Sequence, residues 1–346
     1  MESLQIGNFL PAQGVDNFSV RTLNTHKTQD KLWVMVPING SKSCFFRSPA
    51  STASPLKLSA QGLEVNGETE AIINTPLAPI SFAAPAAAVS GTEVDLDIKL
   101  NSGASSLSKP IALKLMKHRE VKISLIPVVL SVPSANGGQP TLYIPDLSPS
   151  AVGLKTYLDQ VFEPQINVNF EVVEEDAISA QWDLNNNGYM DIRSDPGIAG
   201  PPPSDEQNEI LMLSPPLEKL HIRVFIMGCK APGSGSLFGQ TAVGTAQQGS
   251  NAVWLVGNQL TSSYTNYRQL VTLSHEIGHI FFGPGHPDQG TGADPLPPMV
   301  LGDGTDHLLR LMVSGDEPSG SPERLIVKGE WDKAEIWLDA QEKTPQ

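Results

Sequence analysis

Apolar residues recur with different periods along this chain, and the character of the pattern changes after His118-Arg119. Before that point Val94, Leu96, Ile98 and Leu100 alternate with Asp95, Asp97 and Lys99. A period of two puts one face of a strand on a core and the other in water. Leu32 to Val36, Leu56 to Ala60, Ala71 to Ile73 and Ile111 to Met116 are further short strands of this kind. Asn66-Gly67 is a hairpin signal, because such turns need the left-handed backbone that these residues tolerate. Asn101-Ser102-Gly103 reads as another turn. Short strands punctuated by turns predict an antiparallel, immunoglobulin-like β-sandwich over residues 1–118, with packing or binding as its role.

Beyond residue 118 strands and helices interleave. Val121, Ile123 and Leu125 open a strand, and Asn136-Gly137-Gly138 marks a loop. Ser148 is placed to cap a helix with Pro149 at its first position, and Pro164 to end it. Val152, Tyr157, Leu158, Val161 and Phe162 would be that helix's apolar face. Ile166, Val168, Phe170 and Val172 alternate as a strand, and Ile222 to Ile226 and Ala252 to Val256 give two more. The spacing then changes to three and four: Tyr267, Leu270, Val271, Ser274, Ile277, Gly278 and Phe281 line one stripe of a helix. Thr261, Ser262 and Ser263 supply N-cap residues, and Gly283-Pro284-Gly285 stops it. The expected architecture is two domains, an all-β sandwich over 1–118 and an α+β domain with a mixed sheet over 119–346.

Composition narrows the function classes. A chain of 346 residues is long enough for two separate cores, and its 40% hydrophobic content suits a soluble globular protein. The formal net charge of −14 argues against nucleic acid as a partner, since phosphate would be repelled. A bilayer span needs roughly 18–20 apolar residues, and the longest candidate, Pro76 to Val89, is broken by prolines. Met1-Glu2-Ser3-Leu4-Gln5 has neither a basic start nor an apolar core, so no classical signal peptide is visible. Secreted or cell-surface placement is nonetheless expected over cytoplasmic, by an export route left open. Cys44 and Cys229 are too few for a disulfide framework. They are read as two buried thiols, with a single bridge or an inhibitory Cys44 thiolate on a metal as alternatives.

Three of the seven histidines fall within His275-Glu276-Ile277-Gly278-His279 and His286. On a helix, residues i and i+4 share a face, so His275 and His279 can offer ring nitrogens to one ion. Glu276 projects about 100° around the same turn. Its carboxylate can reach a water in an open coordination position without becoming a ligand.

These residues resemble the H-E-x-x-H-x-x-G-x-x-H motif of the metzincin zinc metallopeptidases. Leu311-Met312-Val313-Ser314-Gly315 is similar to the methionine turn that lies beneath the metal in that clan. The glycine and third histidine each arrive one residue late, as Gly283 and His286, with Phe282 as the extra residue. The resemblance covers about residues 120–346. It implies a zinc-dependent endopeptidase with His275, His279 and His286 as ligands, Glu276 as general base and Met312 in the Met-turn. It further implies a protein or peptide substrate lying along an edge strand within Phe238 to Leu255, a loop from Pro284 to Asp306 beneath the cleft, and a closing helix at Trp331 to Trp337. Asp288 and His307 are the fallback third ligands. In a rival zinc hydrolase architecture Glu330 or Glu335 takes that place.

A second metal pattern lies at Asp183, Asn185, Asn187, Tyr189 (through its carbonyl) and Asp191, with Gly188 at the sharp turn. These match the first nine positions of a calcium loop. Ser194 stands where an EF-hand has its bidentate glutamate, so another carboxylate such as Asp195 would have to assist. The cofactor expectation is therefore Zn²⁺, with Ca²⁺ as a second candidate. The competing functional class is a non-catalytic zinc- or calcium-binding adhesion or interaction protein.

Overall fold

The computed structural model describes residues 10–11, 32–47, 55–74, 77–100, 111–134, 136–145, 150–181, 183–186, 190–192, 202–227, 244–256, 266–286, 311–312, 326 and 328–343. The front of the chain is made of β1 (Leu10–Pro11), β2 (Leu32–Pro37), β3 (Gly40–Arg47), β4 (Leu56–Ala60), β5 (Glu64–Val65), β6 (Glu70–Ile73), β7 (Leu77–Ala84), β8 (Glu93–Leu100) and β9 (Ile111–Met116). They form a sheet of order β1-β3-β7-β5 and a sheet of order β2-β9-β8-β4-β6. Leu56, Leu58, Ile80, Phe82, Leu96, Ile98 and Leu113 share a core drawn from both. The alternation read from the sequence explains this packing, since every second residue of β4 is buried.

One front-half expectation needs correcting. The sandwich is not wholly antiparallel, because β2 runs parallel to β9. Asn66-Gly67 does form a tight turn, with φ of 54° and 80°. It closes the expected two-residue hairpin, with Val65 and Glu68 exchanging N–H···O bonds at 2.7 and 3.1 Å, and beyond that pair the strands diverge, β5 to β7 and β6 to β4. The turn is a corner between sheets, and the Asn66 side chain fastens it by accepting from the Ser81 N–H at 2.8 Å.

Strands β2 and β9 bury apolar residues on both faces. Val34, Val36, Leu113 and Leu115 enter the front core, while Met35, Ala112 and Met116 enter a second core with residues from later in the chain. The later elements are β10 (Arg119–Val132), β11 (Thr141–Tyr143), α1 (Ala151–Ile166), β12 (Val168–Glu174), β13 (Ile178–Gln181), α2 (Asp205–Leu213), β14 (His221–Met227), β15 (Gly244–Gln247), β16 (Ala252–Val256), α3 (Asn266–Phe282) and α4 (Lys328–Lys343). Their sheet has the order β11-β10-β14-β16-β15, with β12 and β13 also paired to β10. The sheet is mixed: β12, β13 and β14 run parallel to β10, and β11 and β15 are antiparallel to their neighbours. Every residue of β14 is buried. Ile222, Val224 and Ile226 face the core shared with α1, α3 and α4, while Phe225 and Met227 face a third core with Ile210 of α2.

Helix α1 starts two residues later than Ser148 implied, because Ser150 is its cap and accepts from the Gly153 N–H at 3.2 Å. Pro164 lies inside the helix rather than ending it. The end comes at Asn167, whose left-handed backbone lets its N–H reach the Glu163 carbonyl at 3.0 Å. Ile166 therefore closes the helix instead of opening β12. Val152, expected on the apolar face, is 76% exposed.

Helix α4 is fastened by charge to the junction of β9 and β10. The buried Arg119 guanidinium meets Glu335 at 3.1 Å and also Asp339, and Lys114 of β9 meets Asp332. Among the described residues no helix is long and apolar enough to cross a membrane.

Candidate metal centre

Helix α3 forms because its apolar stripe has a core to enter. Val271, Ile277, Ile280 and Phe281 are buried in the core shared with α1 and α4, and Phe281 stacks edge-on against Trp337 at 4.9 Å. The glycine stop acts as expected: Gly283, at φ 80°, returns its N–H to the His279 carbonyl at 3.0 Å. The residue that looked like an insertion, Phe282, is the last of the helix and is buried beside Phe162. One additional helical residue thus accommodates the late glycine. Gly285, at φ 101°, then lets the chain turn so that His286 comes back to the helix face.

The result brings His275, His279 and His286 together, with one ring nitrogen from each inside a 4.8 Å group. His275 and His286 are stacked with ring centres 5.1 Å apart, and His279 meets both rings edge-on. Two backbone carbonyls orient the helix pair. His275 Nδ1 lies 2.7 Å from the Leu311 carbonyl, and His279 Nδ1 lies 3.1 Å from that of Gly283. A carbonyl only accepts, so each Nδ1 carries the proton and each Nε2 keeps its lone pair. His275 Nε2 and His286 Nε2 are 3.1 Å apart. Two nitrogens held at about 2.0–2.1 Å by one tetrahedral ion would stand about 3.3–3.4 Å apart. The residues present therefore fit a bound cation. Imidazole suits zinc, copper, iron and nickel alike, so the donors could hold a transition metal without choosing which.

Protonation is compatible with that use. Burial lowers the pKa of His279 to about 4, the Gly283 carbonyl opposing and His286 assisting. Its ring is thus neutral at physiological pH, the form that binds metal. Glu276 is 8% exposed, and burial pushes its carboxyl up to about 8. A carboxyl so placed exchanges a proton near neutrality, as general acid–base work requires.

Beneath the helix, Leu311 and Met312 form a turn and both are buried. A β-carbon at Gly278 would lie 2.5 Å from Met312 Sδ. Gly278 is therefore a close-approach glycine, a role that sequence reading missed when it counted the residue only as part of the stripe. A glycine inside a helix costs about 1 kcal/mol relative to alanine, and that was the available signal.

Other expected residues fall elsewhere. Glu335, the rival third ligand, is bound to Arg119, and Glu330 is buried on α4. Asp288, His307, Cys229, Asn187, Tyr189, Ser194, Asp195 and Val313 to Gly315 lie outside the described residues, as does the Cys44 side chain. Of the calcium pattern, Asp183, Asn185 and Asp191 are described, and Asn185 donates to Asp191 at 2.9 Å.

No protein-family model matches the chain, and no curated protein matches it. Solved structures similar to parts of it include a family 123 glycoside hydrolase from Clostridium perfringens, at 7% identity over 28% of this chain and a TM-score of 0.19. A sialyltransferase from Photobacterium damsela matches at 9% identity over 57% of this chain, with a TM-score of 0.22. A chimeric titin Z1Z2 carrying a KLER peptide from decorin matches at 12% identity over 34% of this chain, with a TM-score of 0.17. The chain spans 25% of the hydrolase, 36% of the sialyltransferase and all of the titin chimera. Likenesses at these scores carry no argument about fold or function.

Proposed function

We propose that this chain is a zinc-dependent endopeptidase of the metzincin kind, with residues 119–346 as the catalytic domain and 1–118 as an immunoglobulin-like accessory module. The observation that carries the reading is three converging imidazoles, His275, His279 and His286, on and just after a helix that also carries the buried Glu276. A structural zinc site normally fills four positions with protein ligands, whereas the described residues supply three and leave room for reaction.

His275, His279 and His286 would hold the ion as neutral imidazoles. When bound, zinc supplies a Lewis acid that brings a water's pKa toward about 7 and stabilises charge on a scissile carbonyl. Glu276 takes the proton of the attacking water and passes it to the departing amine. Met312 and Leu311 form the floor, with the Leu311 carbonyl holding His275 in one tautomer. The mixed sheet also supports the reading. β15 pairs with β16 antiparallel, stands last in the sheet order and packs against α3. An extended peptide adding to that edge would run beside α3, the helix that carries His275 and His279, with main-chain hydrogen bonds for affinity.

The test is Glu276→Ala. It should retain one zinc per chain by metal analysis while cleavage of an unfolded protein falls by about 10²–10⁴-fold. Undiminished cleavage by this variant would remove the mechanism, and a wild-type chain that takes up no zinc would remove the assignment.

A further inference from the structure

The loop after β13 is held at both ends by burial. Ala180 precedes it, Met190 and Ile192 follow it, and all three enter the third core with Ile210 of α2. Helix α2 begins beside the loop with a capping box. Ser204 accepts from the Gln207 N–H at 3.1 Å, the Gln207 side chain accepts from the Ser204 N–H at 3.0 Å, and the Ser204 hydroxyl donates to the Asp191 carbonyl. This fastening carries Glu206, in the first turn of α2, under the loop.

Glu206 is fully buried. Its Oε1 accepts from the Leu184 N–H at 3.0 Å, so the carboxylate is aimed into the loop between Asp183 and Asn185. Its Oε2 is buried and has no hydrogen-bond partner. A carboxylate oxygen removed from water and left unsatisfied is strongly unfavourable, and an ion is one way to satisfy it. The sequence pattern lacked a carboxylate at its last position. Glu206 supplies that carboxylate from the next helix rather than from the loop itself.

We propose that Asp183, Asn185, Asp191 and Glu206 form a calcium site, with Glu206 as the closing ligand. Hard oxygen donors select calcium or magnesium over the transition metals that imidazole prefers. Flexible, irregular oxygen geometry then favours calcium over magnesium, which demands a near-ideal octahedron. Of the four donors Asn185 and Asp191 touch, and the set is not drawn to one point, so affinity falls in the range of about 10⁻⁴–10⁻³ M typical of extracellular modules. Bound calcium would tie the strand-to-helix connection to α2, independently of the imidazole site.

The experiment uses the full chain, stripped with a chelator and melted with calcium chloride or magnesium chloride alone. Wild type should melt several degrees higher in millimolar calcium than in chelator, with a smaller rise in magnesium. Glu206→Gln should melt no lower than wild type in chelator, because it buries no charge, and should lose the calcium-dependent rise. Where that variant fails to fold, Asp183→Asn should weaken calcium binding about tenfold by calorimetry. His275→Ala should keep the full calcium response. An equal response in wild type and Glu206→Gln, calcium binding unchanged in Asp183→Asn, or no response in wild type would overturn the proposal. Loss of the response in His275→Ala would assign the calcium to the imidazoles and overturn it equally.

Discussion

Replacing Gly278 with alanine probes the close approach of Met312 to the helix of the candidate metal centre. The new β-carbon would stand 2.5 Å from Met312 Sδ, 3.3 Å from Phe282 Cε2 and 3.4 Å from Leu311 Cδ2. Ordinary carbon contacts are about 3.5–4.0 Å, so the sulfur must retreat by at least about 1 Å. Methionine is flexible enough to do so, but Phe282 and Leu311 limit the directions open to it. Overpacking of this kind costs about 1–3 kcal/mol. Alanine recovers about 0.8–1 kcal/mol of helix propensity over glycine. The net effect on stability is therefore small, a loss of about 0–2 kcal/mol by these two terms. The larger effect falls on the metal. Displacing Leu311 disturbs the 2.7 Å bond that orients His275, and loss of such a partner weakens metal affinity by about 10–100-fold. Zinc competition against a chromophoric chelator measures the affinity, and thermal unfolding of the apo chain measures the stability. Zinc affinity within about twofold of wild type, far short of the range for a lost orienting partner, would refute the reasoning. So would a higher melting temperature, because it would mean that Met312 yields at no cost.

Two further predictions concern stability. Arg119→Met leaves buried Glu335 without its cation, and breaking a buried pair costs about 3–5 kcal/mol. Asp339 and Glu342 stay partly hydrated, so the lower end is expected; a urea midpoint change worth less than about 1 kcal/mol, the level of an exposed pair, would contradict it. His221 should make the apo chain acid-sensitive. Its Nδ1 accepts from the Glu218 N–H at 3.2 Å, so Nε2 donates to Ser124 Oγ at 2.9 Å, and Ser124 donates to Glu175 at 2.7 Å. Burial, followed by Lys122, lowers its pKa to about 4. The unfolded chain therefore binds the proton first as pH falls. This contribution is complete above about pH 6.5 and is lost as pH drops toward 4, at most about 3 kcal/mol. His221→Gln should flatten that part of the stability–pH curve, and an unchanged slope between pH 6.5 and 4 would rule the group out.

Local patterns were legible where local physics decides the outcome. The alternation of β4, the buried run of β14 and the stripe and glycine stop of α3 were all readable, because each follows from one segment meeting one core. Pairing beyond a turn was not readable. Asn66-Gly67 signals the hairpin that Val65 and Glu68 close, but that β5 then runs beside β7 and β6 beside β4 is not written in the turn itself. Pro164 was a misleading stop because the Asn167 side chain, donating to the Met116 carbonyl at 2.9 Å, fixes the helix end from outside. Glu206 could not be connected to Asp183 by spacing, since the capping box of α2 is what delivers it.

The candidate metal centre is legible for a related reason. Its three imidazoles come from one helix and the turn after it, and one of the two orienting carbonyls, that of Gly283, belongs to that turn. The Leu311–Met312 turn is the distant component, and Gly278 is the contact through which it reaches the helix. Burial in the shared core sets the position of α3 before any ion is considered. An ion would then have little left to organise. It would draw nitrogens now within 4.8 Å toward the roughly 3.3–3.4 Å of a tetrahedral site, a movement that side chains can supply. On this argument the backbone of α3 should be as ordered without metal as with it. Amide exchange across residues 270–282 should slow on zinc addition only by as much as global stability rises. Protection gained in α3 alone would mean that the ion builds the helix.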